Sequence, residues 1–216
     1  MRPAESRTSD TPAGKPEAAQ ADFDAVYGEL PGELAPQLAL GFAAEAAGNQ
    51  PTASRYFERV WTVDRAHVSA AFGLARTRLA AGDRAGAIAA LAAVPPTSSQ
   101  YVRAQITAVR MHLTRVGQSE VTPGDLREAA DRLDRLSLDA SRREYLRSEI
   151  LRAALDAVTA GQTLGDDRLL DCEPAEHPLR SGLEQSYRTL ARIAPDQAQR
   201  IVLVDRANEA RPRTWL

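Results

Sequence analysis

Residues 40–57, LGFAAEAAGNQPTASRYF, and residues 74–91, LARTRLAAGDRAGAIAAL, place the same kinds of residue at the same positions 34 residues apart. Leu40 matches Leu74, Gly41 matches Ala75, and Gly48-Asn49 matches Gly82-Asp83. Ala53 matches Ala87 and Phe57 matches Leu91. Each element has a physical reason. A small residue after the leucine lets a first helix lie close against a second. The glycine ends that helix in the left-handed conformation, and the Asn or Asp beside it accepts amide hydrogens at the next helix start. Ala53 and Ala87 then sit at the helix contact, and Phe57 and Leu91 fill the gap to the following pair.

A 34-residue period of paired helices is the signature of tetratricopeptide repeats, and two copies in one register are far more specific than one. The expected fold is therefore all-α, a tetratricopeptide-type helical-hairpin solenoid. Its central and C-terminal repeats are degenerate. The closing proline of the motif is replaced by Arg65 and Ser99, and Pro95-Pro96 ends the second pair early. A third copy would begin near Tyr101 but lacks the Gly-Asp turn, and a longer connection runs through Gly117 to Gly124. Pro195-Asp196, Val204, Ala207 and Pro212 return to motif spacing, as expected of an atypical final pair that caps the stack.

Outward from these repeats, residues 1–22 are rich in Pro, Ala, Ser, Thr and Glu and carry no periodic apolar face. They read as a disordered leader or linker, with residues 23–216 forming the helical domain. Apolar periodicity and Gly/Pro punctuation predict helices over 23–30, 33–47, 52–63, 66–81, 84–94, 99–116, 123–136, 141–160, 178–193 and 195–210. Pro123 and Pro195 suit first turns, where no amide donor is needed, and Thr122 can cap the helix at 123. In the helix over 141–160, Leu146, Ile150, Leu151 and Leu155 make a face for packing.

The chain has 216 residues, 44% of them hydrophobic and 26% charged, which is the balance of a folded soluble domain. A net charge of -2 points to neither nucleic acid nor an anionic membrane surface. No apolar run is long enough for a membrane span or a signal peptide, so the expected location is cytoplasmic. Cys172 is the single cysteine and reads as a loop thiol. Lys15 is the single lysine and lies in the leader.

Catalytic readings fail on their own requirements. A kinase needs a glycine-rich phosphate loop, a strand lysine, a catalytic-loop aspartate and a magnesium-binding Asp-Phe-Gly, and none of these is in the sequence. The Val-Asp-Arg-Ala runs at 63–66 and 204–207 lack the histidine that precedes a catalytic loop. His67, His112 and His177 have no metal-ligand spacing. Asp166, Asp167, Asp171, Glu173 and Glu176 lack the pattern of a calcium loop and read as a solvated segment. No enzyme activity, cofactor or metal is expected.

The repeat register instead maps a binding groove, because the first helix of each pair lines the concave face of such stacks. One stripe is Leu38, Phe72 and Ile106, and a second is Phe42, Arg76 and Arg110. Apolar side chains beside two arginines suit a protein or peptide partner with a hydrophobic anchor and an acidic or phosphorylated group. The competing expectation is that these side chains contact a neighbouring helix, above all the one over 141–160.

Three runs carry a family resemblance: FDAVYGELPGELAPQLAL at 23–40, VSAAFGLAR at 68–76 and LVDRANEARPRTW at 203–215. They resemble the tetratricopeptide region of actinobacterial Ser/Thr protein kinase G, over about residues 23–216. The resemblance implies a scaffold for homodimerisation and for docking of substrates or regulators of a cytosolic kinase. In that family the region follows a rubredoxin-like module and a kinase domain, and one cysteine cannot supply the four ligands of the former. The alternative is a free-standing tetratricopeptide adaptor with a peptide-binding groove and no kinase attached.

Overall fold

A computed structural model describes residues 33–117 and 120–212. The expected leader over 1–22 and the expected helix over 23–30 lie outside the described residues. Among those described, α-helices account for all the regular secondary structure: α1 (Leu34–Ala46), α2 (Gln50–Val63), α3 (Val68–Ala80), α4 (Arg84–Ala92), α5 (Tyr101–His112), α6 (Pro123–Asp134), α7 (Ala140–Thr159), α8 (Glu176–Ile193) and α9 (Gln197–Ala210). None of them is long and apolar enough to cross a membrane. The chain divides into two compact units, one ending at Thr77 and the other beginning at Arg78.

The repeated turn has the same atomic form in both copies. At the end of α1, Gly48 takes φ +77°. Its amide reaches the Glu45 carbonyl at 3.0 Å, and the Asn49 amide reaches that of Ala44 at 2.8 Å. At the end of α3, Gly82 takes φ +87°. There the Gly82 amide bonds the Leu79 carbonyl at 3.0 Å and the Asp83 amide bonds that of Arg78 at 2.8 Å. Both are Schellman motifs, which satisfy carbonyls a helix end would otherwise leave unpaired. The residue after each glycine then caps the next helix: Asn49 Oδ1 accepts from the Thr52 amide at 3.2 Å, and Asp83 Oδ1 from the Gly86 amide at 2.8 Å.

In the first unit α1 packs on α2, and the contact is built around one ring. Phe57 of α2 is fully buried. A Cβ at Gly41 would come within 2.8 Å of the Phe57 ring, and one at Gly73 within 2.7 Å. The ring is therefore clasped by two backbones, each of which comes close only because it bears no side chain.

In the second unit α4 packs on α5, α5 on α6, α6 on α7, α7 on α8 and α8 on α9. The long helix α7 supplies the middle of the core: Leu146, Ile150, Leu151 and Leu155 are all buried with Leu126, Leu133, Leu179, Leu183 and Leu190. Packing is thus the role of its apolar face, as the periodicity predicts. α6 begins as expected, with Thr122 and Asp125 forming a reciprocal capping box and Pro123 in the first turn.

Several expectations need correction. Pro195 is not in a first turn: α9 starts at Gln197, and Asp196 is the cap, its Oδ1 accepting from the Gln199 amide at 2.8 Å. The helix predicted over 99–116 stops at His112. Its continuation is diverted because Arg84 Nη1 takes the Thr114 carbonyl at 2.9 Å and Gly117 turns with φ +58°. Cys172 lies in a loop as expected, but as a buried core residue it is not incidental. Residues Leu169 and Cys172 exchange backbone hydrogen bonds at 2.9 Å, which folds the segment back and buries Leu169, Leu170 and the cysteine in the core. Burial pushes its thiol pKa up, which disfavours the thiolate form. The acidic side chains of the same segment remain on the outside.

Candidate functional site

The groove residues expected from the repeat register fall into two sets, Leu38, Phe42, Phe72 and Arg76 in the first unit and Ile106 and Arg110 in the second. In the first, Leu38, Phe42 and Glu45 lie at i, i+4 and i+7 of α1 and so share one helical face. Leu38 is half-buried, whereas Phe42 is 41% exposed. The Phe42 ring meets Phe57 edge to face, with centroids 5.1 Å apart and planes at 70°. The exposed aromatic ring is thereby backed by a fully buried one.

Arg76 of α3 closes on the end of this face. Its Nε and Nη2 donate to the two carboxylate oxygens of Glu45, each at 2.7 Å. The carboxylate raises the arginine pKa above its ordinary value, so the guanidinium is a permanent cation. The pair engages two of the five guanidinium N–H donors, and the arginine remains about half-exposed. An incoming carboxylate or phosphate could therefore share or displace Glu45. Phe72, one turn before Arg76 on α3, is half-buried.

In the second unit the geometry is more closed. Ile106 is packed against the hydrophobic core, and Arg110 donates through Nε and Nη2 to both oxygens of Glu149 on α7, each at 2.9 Å. Arg110 is thus engaged by the long helix α7, the neighbour that the competing expectation named.

Glu45 and Glu149 are the residues that sequence reasoning missed. They lie 31 residues before Arg76 and 39 residues after Arg110, and neither separation is the repeat period. Periodicity therefore carries no signal for them.

A second polar cluster joins α4, α5 and α6. Arg84 Nη2 donates to Asp125 Oδ2 at 2.7 Å, and Arg132 Nη1 donates to Gln105 Oε1 at 2.6 Å. His112 is 7% exposed and neither ring nitrogen has a hydrogen-bond partner. The Asp125 carboxylate stands 3.6 Å from its Nδ1, too far for a hydrogen bond. Burial lowers the imidazole pKa, an effect that Asp125 only partly opposes and nearby Arg132 reinforces. The imidazole is consequently neutral near pH 7.

Comparison with known proteins decides the family. The family model described as "Protein kinase G tetratricopeptide repeat" matches residues 8–214. The chain belongs to the protein kinase G tetratricopeptide repeat family. It is 40% identical over 196 residues to the serine/threonine-protein kinase PknG of Mycolicibacterium smegmatis, a match that covers 91% of this chain and 26% of that protein. It is likewise 40% identical over 194 residues to PknG of Mycobacterium leprae, covering 90% of this chain and 25% of that one. The chain thus spans about a quarter of the length of these kinases. The all-α, helical-hairpin fold seen here fits that family model, and a protein-interaction role is general for tetratricopeptide repeats.

Proposed function

We propose that this chain is a non-catalytic interaction module of a protein kinase G-type system, which docks a protein segment and pairs with a second copy of itself in the cytoplasm. The docking residues of the first unit are Leu38, Phe42, Phe72 and Arg76, and those of the second unit, taken by themselves, are Ile106 and Arg110. The observation that carries the reading is the exposed Phe42 ring, held by Phe57, on the same α1 face as the Glu45 that pairs with Arg76. An apolar anchor would cover Phe42, and an acidic or phosphorylated residue of the same segment would take the place of Glu45 on the guanidinium. The non-catalytic part of the reading is supported by the sequence, since these 216 residues carry no phosphate-binding loop and no catalytic-loop motif.

The test is a displayed peptide library panned on the protein, followed by fluorescence-anisotropy titration of enriched peptides. Phe42→Ala and Arg76→Glu are each expected to weaken binding about tenfold or more, and rising salt to weaken the wild-type complex. Arg110→Glu, measured separately, reports whether the second unit contributes. Peptides that bind all variants as tightly as wild type would overturn the docking face.

A further inference from the structure

Helix α4 turns one stripe away from the core. Ala85, Ala89 and Ala92 are exposed and Ile88 is half-buried, and their spacing of three, one and three residues puts them on a single face. This stripe lines a cleft of about 540 Å³ together with Arg84, His112 of α5, and Asp125 and Arg132 of α6. The cleft lies wholly within the second unit, and none of the docking residues lines it. Its volume is that of a small-molecule site, and it has the make-up of one, an apolar wall with a few polar groups.

The polar wall is unevenly satisfied. Arg84 donates to Asp125 at 2.7 Å, so those two charges cancel. Arg132 has no such counterpart. Its Nη1 bonds the neutral Gln105 side chain, its Nε is buried without a hydrogen bond, and it forms no ion pair with a described residue. Glu128, one turn earlier on α6, acts on it through space without closing to an ion pair. In the same wall, neither ring nitrogen of the buried His112 is bonded. Folded proteins rarely leave such groups unmatched, because each unmade bond forfeits the hydration the group had in the unfolded chain. An anion seated in the cleft supplies what both side chains lack.

We propose that this cleft binds a small organic carboxylate, its carboxylate on the Nε–Nη2 edge of Arg132 and its apolar body on the stripe of Ala85, Ile88, Ala89 and Ala92. That edge of a guanidinium grips a carboxylate through two parallel N–H donors. The His112 N–H then finds an acceptor in the same site. Because Arg132 Nε and the imidazole nitrogens are buried, the contacts close only as these side chains tilt toward the ligand, so their signals are the ones to follow. One uncompensated arginine balances one negative charge. Asp83 and Asp125, which share the lining, disfavour a dianion such as phosphate.

Nuclear magnetic resonance on the full chain tests the assignment, with hexanoate and benzoate as probes and acetate, inorganic phosphate and the neutral benzamide as comparisons. Hexanoate and benzoate are expected to shift the Arg132 Nε–H and His112 ring signals saturably, with a Kd on the order of millimolar, as suits molecules of so few atoms. Each comparison compound should bind about tenfold more weakly or worse, since acetate lacks the apolar body, benzamide the charge, and phosphate the single charge that the site matches. Arg132→Gln should weaken hexanoate about tenfold or more by removing the cation. Ala89→Trp should abolish binding by filling the cleft. Ala89 is exposed, so this second variant leaves the core intact and reports on the site even where Arg132→Gln fails to fold. Three results would each overturn the assignment: no saturable shift with either carboxylate, a comparison compound that binds as tightly as hexanoate, or a folded variant that binds hexanoate with wild-type affinity.

Discussion

Replacing Gly41 by alanine sets two opposing effects against each other at the Phe57 ring. The new methyl would lie 2.8 and 2.9 Å from two ring carbons, where about 3.4–4 Å is ordinary contact. The ring cannot retreat, because Gly73 closes on it from another backbone with the same tightness. Overpacking of this kind costs roughly 1–3 kcal/mol, and the clasped ring places Gly41→Ala toward the upper end. Against it stands the helix preference of alanine over glycine, about 1 kcal/mol. The net expectation is a loss of about 1–2 kcal/mol. Urea denaturation followed by far-ultraviolet circular dichroism gives the midpoint and slope for Gly41→Ala, Phe57→Leu and the double variant. The same two positions in the second copy of the repeat are Ala75 and Leu91, so the double variant reproduces a combination the fold already uses. It should be more stable than the sum of the single losses by about 1 kcal/mol or more. A stabilised Gly41→Ala protein, or additivity within about 0.5 kcal/mol, would refute the clasped-ring argument.

Asn49→Ala and Asp83→Ala each remove one cap of the repeated turn, and each should lower stability by about 1 kcal/mol in the same denaturation assay; no loss for either would mean that water replaces the cap at no cost. The buried His112 makes stability depend on pH. The unfolded chain takes up this proton near the ordinary histidine pKa of 6.5, whereas the folded chain takes it up only at lower pH. Below 6.5 the unfolded state therefore holds more protons, and stability should fall by up to about 1.4 kcal/mol per pH unit until the folded pKa is reached. His112→Met should flatten the dependence of the urea midpoint between pH 7 and 5, and an unchanged slope would show that another group carries it. Ala87 is fully buried, so Ala87→Leu should overpack the second unit and cost roughly 1–3 kcal/mol, read as a lowered midpoint.

The repeat turns were legible because they depend on local chemistry. A glycine that must adopt positive φ and an Asn or Asp that must accept an amide three residues on leave the same trace at 48–49 and at 82–83. The buried face of α7 was legible for the same kind of reason, since a helix that packs on one side repeats its apolar residues with the helical period. The end of α5 was not, because what stops it at His112 includes a hydrogen bond from Arg84, many residues earlier, to the Thr114 carbonyl. The burial of Cys172 was not legible for a related reason: it follows from the fold-back at Leu169 and from Gly182, whose missing side chain leaves room for the sulfur.

Sequence alone determined that the chain is helical, that its hairpins repeat every 34 residues, which family it resembles, and that apolar and arginine side chains recur on the first helix of each pair. Those properties are carried by residues close in the chain or one period apart. Tertiary structure decided how these side chains are engaged. It put Glu45 against Arg76 and Glu149 against Arg110, packed Phe42 edge to face on Phe57 while leaving its ring exposed, and packed the partly buried Ile106 against the core. It also left one face of α9 open. Charge pairing and exposure depend on which helices meet in space, and the distances along the chain that bring them together follow no period.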